Sequence, residues 1–421
     1  MGRRTQPDVP TGQTCRGMRL RHHGSNQGRW ENGKHEADPV SERPPSLTPG
    51  RRRLFATLAV AIGLVVPLLA AEVALRVLPV KVGLQAARVD AANPVFRFEP
   101  NRSFVWSRDW DLALVNRGRV NNAGFVNGQD YEAAAPGPLL AVIGDSYVEA
   151  AMVPYAETLH GRLAAALAGR GRVYSFGASG AALSQYLAWA AHARRVYGAA
   201  AMVFVVVGND FDESLVTYKV GPGFHLYAET EGGGLRLERS DYRPKAWVRL
   251  LLRSALVRYA AYNLQVLEHL PPLVAEAVAA EGTEFLGNTS VLASRERLAD
   301  SRRAVAAFFR DLPVMSGLTP RHILFVVDGL RYPSDDALTR ATRADSYFAR
   351  MRLHFMAEAA RRGYRVVDMD ELFFPHWRAH RQSFDYPARD SHWSPLGHAL
   401  AAEAVMGAGL IETLLEPDGG G

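Results

Sequence analysis

The chain has 421 residues, 48% hydrophobic and 22% charged, the balance of a globular protein long enough for one large domain with additions or for two domains. Its net charge of +6 lies at one end, because residues 1–53 hold eleven Lys and Arg against five Asp and Glu and the remainder is neutral. This gives no basis for a nucleic-acid role of the main domain, and the single cysteine, Cys15, excludes an intrachain disulfide and a cysteine-based metal site.

Residues 1–50 are rich in Arg, Gly, Pro, Ser and His without apolar periodicity, which predicts a disordered tail. The same pattern fits an over-extended start, with the chain proper beginning nearer Met18 or later. Arg51, Arg52 and Arg53 then precede eighteen uncharged, mainly apolar residues, Leu54–Ala71, and the stretch continues through Glu72 and Arg76 to Val80. That length reaches the lower limit for crossing a bilayer as a helix, and the triple Arg predicts a cytoplasmic amino end. A retained signal anchor over 54–80 is therefore expected. A cleaved signal peptide and a buried core helix are the alternatives, the first weakened by the absence of a clear A-x-A site.

Residues 81–138 read as a juxtamembrane lead-in, with a strand end and turn in Val120–Phe125 (VNNAGF). From Leu139 strands and helices alternate. Short apolar runs at Leu139–Ile143, Val173–Phe176, Ala201–Val207, Ile323–Val327 and Arg365–Val367 predict buried strands. Helices are expected near Glu157–Ala168, Leu183–Tyr197, Trp247–Leu270, Arg295–Leu312 and Tyr347–Arg361, with a turn and helix over Asp390–Met406. This predicts an α/β fold, a parallel sheet covered by helices on both faces. The expected organisation is a tail (1–53), an anchor (54–80), a lead-in (81–138) and an α/β domain over 139–415. An insertion is expected at about 211–320, with a hairpin or loop at Gly221–Leu237.

The stretch Leu139–Ala151 (LLAVIGDSYVEAA) organises the domain. Its strand stops at Gly144, and Asp145 and Ser146 follow before a helical pattern begins. A serine there sits at the carboxyl end of a strand, where open α/β sheets place ligands and where the first helical N–H groups lack intrahelical partners. Ser146 is the candidate nucleophile; the plain alternative is a helix N-cap. Other strand ends carry Gly177, Asn209–Asp210 and, near the C-terminus, Asp390-Ser391-His392. Serine hydrolysis needs a base, a carboxylate to fix the base's tautomer, and N–H donors for the oxyanion. His392 can be the base and Asp390 its partner. Ser146 N–H, Gly177 N–H and the Asn209 amide can form the oxyanion hole.

GDS at 144–146, Gly177 in FGASG, Asn209 in GND and His392 in DSHWSPLGH resemble the four blocks of the SGNH, or GDSL-like, hydrolases over about 139–405. The resemblance implies a three-layer α/β/α fold and ester chemistry at Ser146, in a bacterial, envelope-facing branch. Two positions depart from the family. Val207 stands where glycine usually precedes the asparagine by two. Asp390 and His392 are two apart rather than three, and this spacing with the following Trp393 and Pro395 is similar to that of alginate-type O-acetyltransferases.

Other residues have competing readings. His398 is a rival base whose place inside the last helix favours packing. Asp210 and Asp212 could bind a metal or substrate but read better as loop or cap residues. His376 and His380 have an i, i+4 spacing usable by zinc, without a third ligand of matching spacing. Gly232–Gly234 lacks the context of a phosphate loop, and Asp145 as a phospho-acceptor would leave its neighbours unused. Phe211, Tyr218, Phe224 and Tyr227 could stack on sugar rings or simply pack the insertion.

The sequence thus predicts a single-pass inner-membrane serine esterase with its catalytic domain periplasmic or extracellular. No cofactor, metal or nucleic acid is expected. The partners expected are the membrane, through 54–80, and an ester substrate on a glycan, an acylated polysaccharide or a lipid. The rivals are an O-acyltransferase acting on a polysaccharide and a non-catalytic glycan-binding envelope protein.

Overall fold

A computed structural model describes residues 48–266, 285–286, 289–290, 292, 294–387 and 390–416. The tail expected over 1–47, with Cys15, lies outside the described residues, as does 267–284 of the expected insertion. The chain divides into two compact units, Met1–Ala61 and Ile62–Gly421. The first described element is a 29-residue helix, α1 (Pro49–Val77), with no buried residue. Among the described residues it is the one helix long and apolar enough to cross a membrane.

The lead-in forms an antiparallel hairpin, β1 (Arg102–Arg108) and β2 (Leu114–Val120). The α/β alternation then begins with β3 (Leu139–Gly144), α2 (Ser146–Glu149), α3 (Leu159–Ala166), β4 (Arg172–Gly177), α4 (Leu183–Tyr197) and β5 (Ala199–Val206). A second hairpin, β6 (His225–Glu229) and β7 (Leu235–Arg239), precedes two short helices, α5 (Ala246–Leu251) and α6 (Ala255–Arg258). The alternation resumes with α7 (Arg295–Ser316), β8 (Ile323–Val327), α8 (Tyr347–Arg361), β9 (Arg365–Asp368) and α9 (Asp370–His380). A small ladder, β10 (Asp385–Tyr386) with β11 (Asp390–Trp393), leads into α10 (Pro395–Gly407).

The central sheet runs β9-β8-β5-β3-β4, every neighbouring pair parallel. Its strands are apolar on both faces because both are covered. Leu139, Ala141 and Ile143 of β3 join Phe204, Phe325, Trp189, Phe308 and Phe355 in one core. Leu140 and Val142 point the other way, to Val203, Val326, Leu163, Trp393 and Val405. Helices α4, α7 and α8 cover the first face and α3, α9 and α10 the second, a three-layer α/β/α sandwich. The strand order reverses direction between β3 and β5, the topological switch point at which such sheets bind ligands. Ser146 directly follows β3.

Some expectations change in detail. Helix α7 is the crossover between β5 and β8 and packs into the first core, so the part of 211–320 outside the alternation ends near 294. Ser294 Oγ starts α7 by accepting the Arg297 N–H, and Gly317, at φ 61°, ends it. The single helix expected from Trp247 onward is broken at Ser254, whose Oγ accepts the Val257 N–H and starts α6. The lead-in packs into the domain: Phe104 and Trp106 of β1 belong to the first core. Its Asn127 and Tyr131 hydrogen-bond Ser175 of β4.

Candidate active site

The turn after β3 sets the position of Ser146. The buried Asp145 caps α2, its Oδ1 accepting the Tyr147 N–H at 2.9 Å. As the first residue of α2, Ser146 has no intrahelical acceptor for its own N–H. Two acceptors compete for its hydroxyl proton: His392 Nε2 at 2.7 Å and Asp145 Oδ2 at 3.2 Å. The shorter contact is to the imidazole. On the other side of the ring, His392 Nδ1 bonds Asp390 Oδ1, which also accepts the His392 N–H at 3.0 Å. Burial opposes ionisation of Asp390, but the hydrogen bonds from His392 and the charges of His392 and Arg108 outweigh it and hold its carboxyl below the usual range. Ser146, His392 and Asp390 are therefore brought into one hydrogen-bonded row.

Gly177 ends β4 opposite Gly144 and lies against the start of α2. A Cβ there would stand 2.7 Å from Glu149 N and 3.0 Å from Asp145 O, so only glycine permits this approach. Asn209 sits on the turn beyond β5 with its Nδ2 donating to Glu213 at 3.2 Å, and Glu213 in turn pairs with Lys219.

The remaining candidates separate clearly. His398 is buried, its Nδ1 accepts the Leu159 N–H at 3.2 Å, and burial pushes its pKa down to about 3; it caps α3 as a neutral ring. Asp210 is buried, taking the Tyr186 hydroxyl at 2.7 Å and the Val207 N–H at 2.8 Å, and so closes its own loop. Asp212 pairs with Arg297. His376 bonds Gln382, and among the described residues no three His, Cys, Asp or Glu side chains are grouped so as to hold a metal ion. Phe211, Phe224 and Tyr227 are core residues, which removes them as sugar platforms, and the half-buried Tyr218 bonds Asp300. Trp393 is fully buried and donates to Asp328.

Sequence reasoning missed the side chains that hold this row in place. Arg108, at the end of β1, reaches Asp390 Oδ2 at 2.7 Å across 282 positions. Glu149 is buried and accepts Ser179 N–H and Oγ–H at 2.6 and 3.0 Å, tying the loop after β4 to α2. Arg331 is buried at φ 64°; it pairs with both oxygens of Asp328, contacts Asp385, and donates to the Ser391 carbonyl and the Tyr147 hydroxyl. Tyr147 itself donates to the Ser391 carbonyl at 2.6 Å. One guanidinium thus ties the residue after Ser146 to the residue before His392.

A cleft of about 490 Å³ opens beside His392 and Asp390 and is lined as well by Trp106, Arg108, Glu149 and Ser179. Its outer wall is Lys81–Leu84 and Tyr262. A neighbouring cavity of about 530 Å³ behind β1 and β2 shares Phe104, Val105 and Glu149 with it but includes neither His392 nor Asp390.

No protein-family model and no curated protein matches the chain. Solved structures similar to it include TesA, at 13% identity over 66% of this chain and 99% of that one, with a TM-score of 0.33. A member of the lipolytic protein G-D-S-L family from Veillonella parvula DSM 2008 is similar at 8% identity over 64% and 97% of the chains, TM-score 0.30. A lipase/acylhydrolase from Enterococcus faecalis is similar at 11% over 66% and 95%, TM-score 0.31. At identities this low, chemistry has to be read from the chain's own residues.

Two outcomes follow from this geometry. Arg331→Met keeps the apolar stem but leaves the buried Asp328 carboxylate without its ion-pair partner, which should cost about 3–5 kcal/mol. A denaturant melt that leaves the variant as stable as wild type would remove the guanidinium from that role. The second concerns Asp145, whose carboxyl burial pushes from 3.8 up to about 6. The folded state holds this proton more tightly than the unfolded one. Asp145 therefore opposes folding increasingly as pH rises from about 4 through 6, and not below. Asp145→Asn should gain on wild type by roughly 2–3 kcal/mol between pH 4 and pH 7, whatever its pH-independent offset. Parallel stability–pH curves would refute the assignment.

Proposed function

We propose that this chain is a membrane-anchored serine esterase of the SGNH type. The observation that carries the reading is the 2.7 Å contact from Ser146 Oγ to His392 Nε2, with Asp390 on the opposite ring nitrogen, beside an open cleft. In this mechanism Ser146 Oγ attacks the ester carbonyl while His392 Nε2 takes the hydroxyl proton. Asp390 keeps the other proton on Nδ1 and stabilises the imidazolium as it forms. Ser146 N–H, Gly177 N–H and the Asn209 amide receive the oxyanion. Collapse releases the alcohol, protonated by His392, and leaves an acyl-enzyme. Water, deprotonated by His392, then attacks it and restores Ser146.

Hydrolysis is favoured over transfer to a sugar hydroxyl because the features suggesting transfer have structural uses. Trp393 is buried against Asp328, Phe211, Phe224 and Tyr227 pack into the core, and Tyr218 bonds Asp300. A binding protein would have no need of the aligned row. We further read residues 1–53 as a cytoplasmic tail and 54–80 as the anchor of an inner-membrane protein, with residues 139–415 as the catalytic domain outside the cytoplasm. Arg51–Arg53 supports this orientation.

Ser146→Ala should keep the fold, lose labelling by a fluorophosphonate and lower kcat by several orders of magnitude; His392→Ala should lose as much, because such residues act as a unit. A Ser146→Ala protein that keeps more than about a tenth of wild-type rate would remove the nucleophile. Supplying an acetyl ester with and without oligosaccharides should give free acetate at an unchanged rate. Acetylated glycan formed only by protein with Ser146 intact would replace hydrolysis with transfer. A reporter fused after Gly421 should be active only in a form that works outside the cytoplasm; a cytoplasmic signal would reverse the topology.

A further inference from the structure

Helix α5 carries an unusual outward face. Trp247, Leu250 and Leu251 are 62, 62 and 51% exposed, and their i, i+3, i+4 spacing puts them on one side. Val248 and Leu252, half-buried, turn toward the body. Arg249, on the same inward side, bonds the Ala86 carbonyl and pairs with Glu99 at 2.6 Å. The helix is thus fastened to the lead-in while its other face offers a tryptophan and two leucines to the surroundings. Burying such side chains is favourable, and a face left in water forgoes that gain.

The position of this face says what covers it. Three residues beyond Leu251, the start of α6 is held by Glu72. The Glu72 carboxylate accepts Ser254 Oγ–H at 2.7 Å, Ala255 N–H at 3.0 Å and Leu256 N–H at 2.8 Å. Glu72 is the first charged residue after the uncharged run Leu54–Ala71 of α1, so it marks where that helix would leave a bilayer. The apolar stripe therefore lies beside the exit point of the membrane span. Lys245 and Arg253 bracket the helix and are exposed, the charges that meet lipid phosphates. Farther along the same segment, Tyr259 donates to the carbonyl of Trp110, a second tryptophan, 72% exposed. Exposed tryptophans beside a span are the composition of a membrane–water interface.

The same segment builds the wall of the cleft. Lys81–Leu84 follows α1 directly, Tyr262 follows α6, and both line the cleft with His392. Lys81 N–H bonds Asn263 Oδ1 at 3.2 Å, and Asn263 Nδ2 bonds Ser107 Oγ of β1 at 2.9 Å.

We propose that the Trp247–Leu250–Leu251 face lies in the headgroup layer of the bilayer that α1 crosses, with Lys245 and Arg253 on anionic lipid. Docked in this way, the protein holds its cleft against the membrane, and its ester is carried by a membrane-borne amphiphile rather than by a freely diffusing solute. The docking rests on the reading of α1 as a span, and the substrate class on the esterase reading.

The test uses the full chain in vesicles of anionic lipid brominated near the headgroup. Tryptophan fluorescence should be quenched, and Trp247→Phe should lower that quenching. Replacing Trp247, Leu250 and Leu251 together by Ser should slow hydrolysis of a vesicle-embedded ester roughly tenfold while leaving a short water-soluble ester within about twofold of wild type, since only interfacial contact is removed. No difference in quenching between wild type and Trp247→Phe, with α1 still resistant to alkaline extraction, would overturn the docking. Equal losses on both esters would overturn the assignment of substrate to the membrane. Wild type inactive on both esters would instead refute the esterase reading, with quenching still reporting the docking.

Discussion

Arg331 stands where three segments of the second compact unit meet, and the geometry around Ser146 depends on it. Its guanidinium faces Asp328 at the end of β8, the Tyr147 hydroxyl beside the nucleophile candidate, and the Ser391 carbonyl one residue before His392. A buried cation loses its hydration and persists only where its donors are met. Here Asp328, Asp385, Tyr147 and Ser391 meet them. The residue accepts a left-handed backbone at φ 64°, uncommon for a side chain of its size, with its N–H bonded to Asp370 at 3.0 Å. Such a conformation lasts only where surrounding contacts over-determine it.

That arrangement explains how two positions 246 residues apart come within hydrogen-bond distance. The sheet supplies the coarse alignment by ending β3 and β8 along one edge. The finer placement comes from Tyr147 and Trp393, which reach Ser391 and Asp328 from either side of His392. Arg108 then fixes the free oxygen of Asp390 from the lead-in hairpin. A carboxylate held by both Arg108 and His392 cannot rotate away without losing a charged contact.

Glu72 plays a comparable part at the close of the apolar run of α1. A carboxylate at the close of an apolar helix would be a cost if it had no donors. It instead serves as the N-terminal acceptor of α6, where unpaired N–H groups and the helix dipole favour negative charge. Through α6 and Asn263 this contact extends to β1, so the wall of the cleft and the end of α1 belong to one hydrogen-bonded assembly.

The sequence by itself determined whatever depends on neighbours in the chain. Eighteen uncharged residues after three arginines specify the apolar helix. Short apolar runs ending in glycine or polar residues specify strands covered on both faces. The GDS turn and the DSHW segment are readable because a serine after a strand, and an aspartate two residues from a histidine, are local patterns. Tertiary structure decided what depends on distant partners: that His392 rather than His398 faces Ser146, that Arg108 reaches Asp390, that Arg331 joins Tyr147 to Ser391, and that Glu72 breaks the helix expected from Trp247 by starting another at Ser254. Each of these contacts spans dozens to hundreds of residues, and an isolated Arg or Glu in a loop carries no periodicity to announce its partner. Only closing the chain into a sheet with two covered faces brings those charges together.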